Sequence, residues 1–115
     1  MMDTGPHPGP PVRAVLVFTV RPGDTAEFER AWADVADWAG RWSGCVRQTL
    51  CRTDAAEPTY VITSDWVDRA AFRAFERSEE QDTVTAELRR LRRTARMELH
   101  TMIAERSASG PVHVA

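Results

Sequence analysis

Aromatic side chains are the most conspicuous chemical groups in this sequence. Its 115 residues include four tryptophans, four phenylalanines and a single tyrosine, Tyr60. Such rings hold flat, apolar molecules by stacking and hydrophobic contact, and the indole N–H and phenol O–H add hydrogen bonds. The tryptophans are Trp32, Trp38, Trp42 and Trp66. Because four indoles are hard to pack without voids in a chain this short, a cavity for a hydrophobic molecule is as well supported as a solid core.

Several kinds of catalysis are excluded by residues that the sequence lacks. All 15 basic residues are arginine, so no lysine is present to form a Schiff base or to bind phosphate in a P-loop. There is no asparagine, so no Asn carboxamide can stabilise an oxyanion or an oxygen intermediate. The motifs GxSxG, HExxH, GxGxxG and CxxC are absent too. Cys45 and Cys51 lie about 20 Å apart along one predicted strand, so we expect free thiols.

Charge and hydropathy argue against nucleic acid and membrane as partners. The formal net charge is -2 and the pI is about 5.9, which does not suit a general nucleic-acid binder. No apolar run approaches the roughly 20 residues of a membrane span. The first residues are polar and rich in proline, without the apolar segment of a signal peptide. We therefore expect a cytoplasmic protein.

The apolar pattern predicts one domain between two tails. We expect a disordered lead over residues 1–11, a single domain over 12–105 and a flexible tail over 106–115, which leaves His100 as the histidine in ordered structure. The predicted strands span residues 12–20, 45–52, 59–66 and 94–104, and the second and third form a hairpin. A helix opened by an Asp24–Glu27 capping box follows the first strand. A short helix capped by Asp68 and a helix opened by a Ser78–Gln81 capping box lie between the hairpin and the last strand.

This order, β-α-β-β-α-β, is the split βαβ or ferredoxin-like arrangement. Its four strands form an antiparallel sheet with the helices on one face, which is an α+β fold. Several strands are apolar on both faces, and no further element remains to cover the second face. A symmetric homodimer that packs sheet against sheet is the simplest solution, so we expect a dimeric α+β barrel.

Strand alternation predicts which side chains share a space with Trp66 beneath the helices. The mixture is aromatic and aliphatic with few polar groups, which suits a flat hydrophobic ligand, although the same side chains could simply fill a core. The expected members are Val46, Gln48, Leu50, Tyr60, Ile62, Ser64, Met97, Leu99, Thr101 and Ile103 on the strands, and Phe28, Trp32, Phe72 and Phe75 on the helices.

Two charged groups receive simpler interpretations. Alternation places His100 on the opposite face of the sheet, together with Arg13, Arg47, Thr63, Asp65, Arg96 and Glu98. A structural role for His100 at a subunit interface is as well supported as a catalytic one. The four arginines between 89 and 93 are most simply a solvated helix end, where cations suit the helix dipole, with an anion-binding patch as the alternative.

Three stretches give the chain a resemblance to a known family. They are the PGxxxxFExAW pattern that ends at Trp32, the strand Tyr-Val-Ile-Thr-Ser-Asp-Trp that ends at Trp66, and the Asp68-Arg-Ala-Ala-Phe start of the next helix. With the order of elements, residues 12–104 resemble the antibiotic biosynthesis monooxygenase family of the dimeric α+β barrel superfamily. The resemblance implies a homodimer whose sheets form a barrel, with a ligand cavity in each subunit between sheet and helices.

The sequence also departs from parts of that family. Haem-degrading members use an Asn, a Trp and a His ligand. Trp66 matches the Trp, but no Asn exists and the place of the His reads Ala74-Phe75, so haem degradation is not expected. Oxygenases of anthrone-type substrates also use Asn, with Trp, Tyr and Arg. On the expected cavity face, Gln48 is the one side-chain amide that could donate in place of that Asn.

The resemblance implies a cofactor-independent monooxygenase that acts on a hydrophobic polycyclic aromatic intermediate of polyketide type in bacterial secondary metabolism. A deprotonated substrate would pass an electron to dioxygen, the co-substrate, so no cofactor and no metal are expected. A polyketide cyclase that uses the same pocket without dioxygen and a non-catalytic binding dimer are the alternatives. The expected catalytic residues are Trp66 to orient the substrate, Gln48 and Tyr60 to donate hydrogen bonds, and His100 as the base by its pKa. The expected substrate-binding residues are Phe28, Trp32, Leu50, Ser64, Phe72 and Thr101.

Overall fold

The strands and helices lie close to where the sequence predicts them. The structure is a computed structural model that describes residues 9–53 and 55–108, so most of the two expected tails lies outside the described residues. The elements are β1 (Val12–Val20), a 3-10 turn (Pro22–Asp24), α1 (Thr25–Ala39), β2 (Cys45–Arg52), β3 (Thr59–Trp66), α2 (Arg69–Glu76), α3 (Gln81–Val84), α4 (Ala86–Leu91) and β4 (Arg92–Thr101).

The four strands form one antiparallel sheet in the order β2-β3-β1-β4. The hairpin β2–β3 supplies one half, and β1 lies in the centre between β3 and β4. This is the ferredoxin-like α+β fold that the sequence predicts. Because β1 is flanked on both sides, its residues set the register of the whole sheet: Ala14 lies opposite Ser64 on β3 and opposite Leu99 on β4.

The helices cover one face of the sheet, and the core beneath them has two parts. The first lies under α1 and α4 and is built around Phe18, Phe28 and Tyr60. The second lies under α2 and is built around Trp66 and Phe72. The same division follows from the strand pleat, since every second residue of β1 and β3 points to this face.

The opposite face of the sheet carries half-buried valines and a charged end. Val15, Val17 and Val61 lie at its centre and are partly buried. Near the end of β3, the Arg13 guanidinium donates two hydrogen bonds to the Asp65 carboxylate, at 2.6 and 2.9 Å. Within the described residues, no helix packs on this face.

The capping predictions had mixed outcomes. The Asp68 carboxylate accepts a hydrogen bond from the backbone N–H of Ala71 at 2.8 Å, so it caps α2 as expected. Asp24 precedes α1, but its side chain makes no capping hydrogen bond. The reason is the 3-10 turn that starts at Pro22, which gives Asp24 φ -106° and ψ 6° instead of the extended backbone that a cap needs.

The segment after α2 differs most from its prediction. The expected single helix is divided at Thr85 into α3 and α4. The Thr85 hydroxyl donates to the Gln81 carbonyl at 2.7 Å, a local bond that competes with regular helix geometry. Ser78 forms no capping box, and its hydroxyl is buried without a partner among the described residues. The last strand spans residues 92–101 instead of 94–104.

A bulge in β2 corrects the predicted faces of two residues. The pairing shifts between Cys45 and Arg47, so that Cys45 lies opposite Trp66 and packs in its cluster, while Val46 is 59% exposed. Burial raises the pKa of the Cys45 thiol. Cys45 and Cys51 are both free thiols.

Gly44 connects α1 to β2 in a backbone conformation that favours glycine. Its φ is +92°, and a Cβ added to it would lie 2.6 Å from Cβ of Ala71 and 3.1 Å from a methyl carbon of Val67. The loop therefore lies directly against the start of α2, and glycine is the residue that permits this approach.

We expect Gly44→Ala to lower the free energy of unfolding by about 1–3 kcal/mol, because the positive φ and the close contact both oppose a side chain. Urea denaturation measures it. Gly23→Ala is the control, since a Cβ there meets nothing within 4 Å, and its change should stay within about 0.5 kcal/mol. Equal free energies of unfolding for the two variants would contradict the close approach of Gly44 to α2.

Candidate active site

A cavity lies between the helix-covered face of the sheet and the helices. Its volume is about 200 Å³. The sheet forms its floor, and α1, α2 and the α3–α4 segment form its walls. Its lining residues are Leu16, Phe18, Trp32, Ala39, Gln48, Ile62, Ser64, Trp66, Phe75, Gln81, Thr85, Leu88, Arg89 and Arg92. The lining is mainly apolar and aromatic with a few polar groups, which is the composition of small-molecule sites.

Trp66 is the most enclosed aromatic residue of the site. Its side chain is fully buried, with Phe75 stacked at a tilt at 4.7 Å between ring centres and Phe72 edge-on at 6.0 Å. The indole N–H donates to the Ser64 hydroxyl oxygen at 2.9 Å. The indole is thus fixed in position and orientation before any ligand enters.

Two predicted polar residues reach the cavity beside this indole. Ser64 accepts the indole N–H, which leaves the proton of its own hydroxyl to be donated into the cavity. Gln48 lines the cavity as well, and its amide nitrogen donates to the Ala36 carbonyl of α1 at 2.9 Å. Gln48 therefore joins β2 to α1, and the second N–H and the carbonyl oxygen of its amide are available to a ligand.

Tyr60 and His100 do not line the cavity. The Tyr60 phenol is buried and donates to a carboxylate oxygen of Glu29 at 2.6 Å, at the far end of the core. Burial, followed by the bond to Glu29, raises the pKa of Tyr60, so the phenol stays protonated at any working pH. His100 lies on the opposite face of the sheet and contacts Glu98 at 2.8 Å, which lowers the pKa of Glu98. Strand alternation therefore predicts the correct face of the sheet for His100.

The predicted substrate-binding residues also divide into two groups. Trp32 lines the cavity with Ser64. Phe28 lies behind it, with its ring 4.6 Å from that of Tyr60, and Phe72 backs the Trp66 indole. Leu50 packs against the core, and Thr101 is exposed at the end of β4. These last four support the cavity or lie outside it.

Sequence reasoning missed the wall formed by α3 and α4. Gln81, Thr85, Arg89 and Arg92 line the cavity from this side. The Gln81 side-chain oxygen is buried and has no hydrogen-bond partner in the part of the chain that the structure describes. The run of four arginines between 89 and 93 was the available signal. Arg89 lies in α4, and Arg92 is the first residue of β4, where the chain leaves the helix.

The fold and the cavity define a ferredoxin-like α+β domain with an aromatic pocket between its sheet and helices. Residues 11–97 match the family described as antibiotic biosynthesis monooxygenase, and the chain belongs to that family. None of the helices formed by residues 9–53 and 55–108 combines the length and apolar character that crossing a membrane requires.

Two relatives come from Streptomyces nogalater. Deoxynogalonate monooxygenase is 43% identical over 56 residues, which are 49% of this chain and 47% of that protein, so the match spans about half the length of this curated relative. The crystal structure of SnoaB, a cofactor-independent oxygenase, is 32% identical with a TM-score of 0.74, and covers 84% of this chain and 97% of that one. The crystal structure of a SnoaB variant with one asparagine replaced by alanine is 33% identical with a TM-score of 0.76, and it covers 84% of this chain and 97% of that one.

The fold extends to distant proteins. A conserved protein from Methanosarcina mazei is 14% identical, with a TM-score of 0.72 over 80% of this chain and 92% of its own. At this identity, the likeness concerns the fold alone.

We expect Ser64→Ala to lower the free energy of unfolding by about 1–3 kcal/mol, because it leaves the buried indole N–H of Trp66 without an acceptor. Trp66→Phe removes that donor. In this background, Ser64→Ala should cost less than about 1 kcal/mol, and urea denaturation of the four proteins completes the cycle. Equal costs in the two backgrounds would show that the bond adds nothing.

Proposed function

We propose that the chain is a cofactor-independent monooxygenase whose substrate is a hydrophobic, polycyclic aromatic intermediate of a polyketide pathway. Family membership supports an enzyme of this class, and both named Streptomyces relatives are oxygenases. The single observation that carries the proposal is the aromatic cavity beside Trp66. It favours a flat ring system of few rings, since about 200 Å³ is small for a ligand site.

The reaction needs no redox group from the protein when the substrate itself is electron-rich. A methylene carbon of the substrate loses a proton, and the carbanion passes one electron to dioxygen. The radical and superoxide then combine through a C–O bond, and the peroxide takes up a proton and loses water. In total, one methylene group and one dioxygen molecule give one ketone carbonyl and one water molecule. SnoaB, named as a cofactor-independent oxygenase, supports this form of chemistry.

The protein contributes position and polarity to these steps. The enclosed Trp66 indole forms a fixed part of the cavity wall, and Trp32, which is only partly buried, supplies the aromatic surface from α1 against which the ring system packs. Ser64 donates its hydroxyl proton to the oxygen on which negative charge develops, with the second amide hydrogen of Gln48 nearby on the same face. A dry cavity strengthens these hydrogen bonds and protects the carbanion from water.

The expected assay result is oxygen consumption with 1,8-dihydroxyanthrone, one dioxygen for each ketone formed, above the rate with heat-denatured protein. Ala39→Leu should raise KM for the anthrone about tenfold or more, because Ala39 is buried in the cavity wall and the larger side chain fills the space. Ala26→Leu is the control at an exposed position of α1 and should keep KM within about twofold.

Tyr60→Phe and His100→Gln should also retain activity within about twofold, since neither side chain lines the cavity. Turnover of the anthrone without oxygen would overturn the oxygenase and favour a cyclase. An unchanged KM in Ala39→Leu would show that the cavity is not the site.

The proposal includes a homodimer in the cytoplasm. The valines at the centre of the uncovered sheet face and the Arg13–Asp65 pair at its end resemble an interface with an apolar centre and a polar rim. Packing of two such faces would complete the barrel that the family resemblance implies. The free thiols of Cys45 and Cys51 agree with a reducing compartment.

We expect light scattering to give about twice the 12.9 kDa chain mass at micromolar concentration. Val17→Asp places a charge at the centre of the face and should shift the protein to the monomer, whereas Ala33→Asp on α1 should leave the mass unchanged. Circular dichroism checks that both variants are folded. A monomeric wild-type protein would contradict the sheet-to-sheet dimer.

A further inference from the structure

The ionisable side chains among the described residues of the cavity lining are both arginines. They are Arg89 and Arg92, and no Asp, Glu, His, Cys or Tyr is present among these described residues. A guanidinium keeps its charge at any working pH and has no lone pair to accept a proton. The described lining residues therefore offer no base for the step that forms the substrate anion.

The neighbouring arginines show what an ordinary surface arginine does in this segment. Arg90 donates to the carboxylates of Glu27 and Glu87 at 2.6 and 2.9 Å. Arg93 donates to the carboxylate of Glu57. Both are exposed and neutralised by acids, as expected for a solvated helix end.

Arg92 has different surroundings. It is half-buried, lines the cavity, and its guanidinium carbon lies 5.2 Å from the centre of the Phe18 ring. Within residues 9–53 and 55–108, no carboxylate pairs with it. Arg89, the other cation of the cavity, donates to the Asp82 carbonyl and, at 3.4 Å, to the Thr85 hydroxyl. The cavity thus holds positive charge that the described part of the protein does not neutralise.

We propose that the cavity binds its substrate already ionised, with a phenolate or enolate oxygen against the Arg92 guanidinium as its counter-ion. The proton leaves a phenol hydroxyl, or the hydroxyl of the substrate's enol tautomer, for solvent water, and no other bond changes. Loss from the enol gives the same anion as loss from the methylene carbon, so the protein contributes cation stabilisation in place of a base. The inference deepens the proposed oxygenase function and rests on it for the later reaction with dioxygen. Its binding step stands separately, because ionisation of a bound phenol needs no oxygen.

The direction in which binding shifts the pKa of a phenol separates this arrangement from an ordinary apolar pocket. Burial in an apolar cavity raises the pKa of a phenol, whereas a cation within about 4–6 Å lowers it by about 1–3 units. The probe is 1,8-dihydroxyanthraquinone, which keeps the phenols of an anthrone but has no methylene carbon to oxidise. Its phenolate absorbs at longer wavelength than its phenol, so titration with and without protein gives the pKa of the bound and free ligand.

We expect the pKa of the bound phenol to lie about 1–3 units below that of the free one. Arg92→Gln should raise the bound pKa by about one unit or more, and Arg92→Lys should restore most of the shift because it keeps the charge. Arg93→Gln is the matched control one residue away and should change nothing measurable. With 1,8-dihydroxyanthrone, the rising limb of kcat against pH, which reports ionisation in the bound complex, should move to higher pH in Arg92→Gln, and activity should return at higher pH.

A bound pKa equal to or above the free value would overturn the proposal, as would an unchanged shift in Arg92→Gln that binds the ligand and keeps its circular dichroism. A lowered pKa without oxygen consumption would instead overturn the oxygenase and leave the anion site intact. The two failures are therefore distinguishable.

Discussion

The buried indole N–H of Trp66 is the constraint on which the site depends. A donor with no access to water needs an acceptor, and Ser64, two residues earlier on the same face of β3, provides it. This bond fixes the plane of the ring, and Phe72 and Phe75 of α2 pack against that plane. Because α2 starts just after β3, the Asp68 cap determines where those two rings lie.

The same constraint extends to the α1–β2 loop. Cys45 packs in the Trp66 cluster because the bulge in β2 brings it opposite the indole, and Gly44 permits the backbone to approach α2. Gln48 then ties β2 to α1 through the Ala36 carbonyl. The floor and two walls of the cavity are therefore held together by local contacts, so the cavity does not depend on a ligand for its shape.

Much of the fold could be predicted because its signals are local. The alternation of β3, the cap at Asp68 and the hairpin each follow from neighbouring residues, and so does the assignment of Trp66, Ser64 and Gln48 to one face. The bulge at Val46 and the break at Thr85 could not be predicted in this way. Each replaces one hydrogen-bond pattern with another of similar free energy, and packing against distant elements decides between them.

The change from helix to strand at Leu91 also explains why the polar wall of the site was missed. A longer regular helix would present Leu88 and Leu91 to the core and leave the arginines in solvent. Because the backbone becomes extended at Arg92, this residue reaches the cavity together with Arg89 of α4, while Arg90 and Arg93 pair with acids outside it. Helical periodicity does not predict the side-chain directions at such a transition.

The absence of asparagine makes this wall important. The resemblance implies that oxygenases of anthrone-type substrates use an Asn carboxamide, a neutral donor, together with an Arg, and this chain has no Asn. A neutral hydrogen-bond donor and a full positive charge both lower the energy of negative charge on a substrate oxygen. In the proposed mechanism, Ser64, polarised by the indole N–H that it accepts, supplies the neutral donor, and Arg92 supplies the charge. An always-charged arginine acts on the anion even before reaction, so it favours ionisation at binding, whereas a neutral donor acts mainly as charge develops.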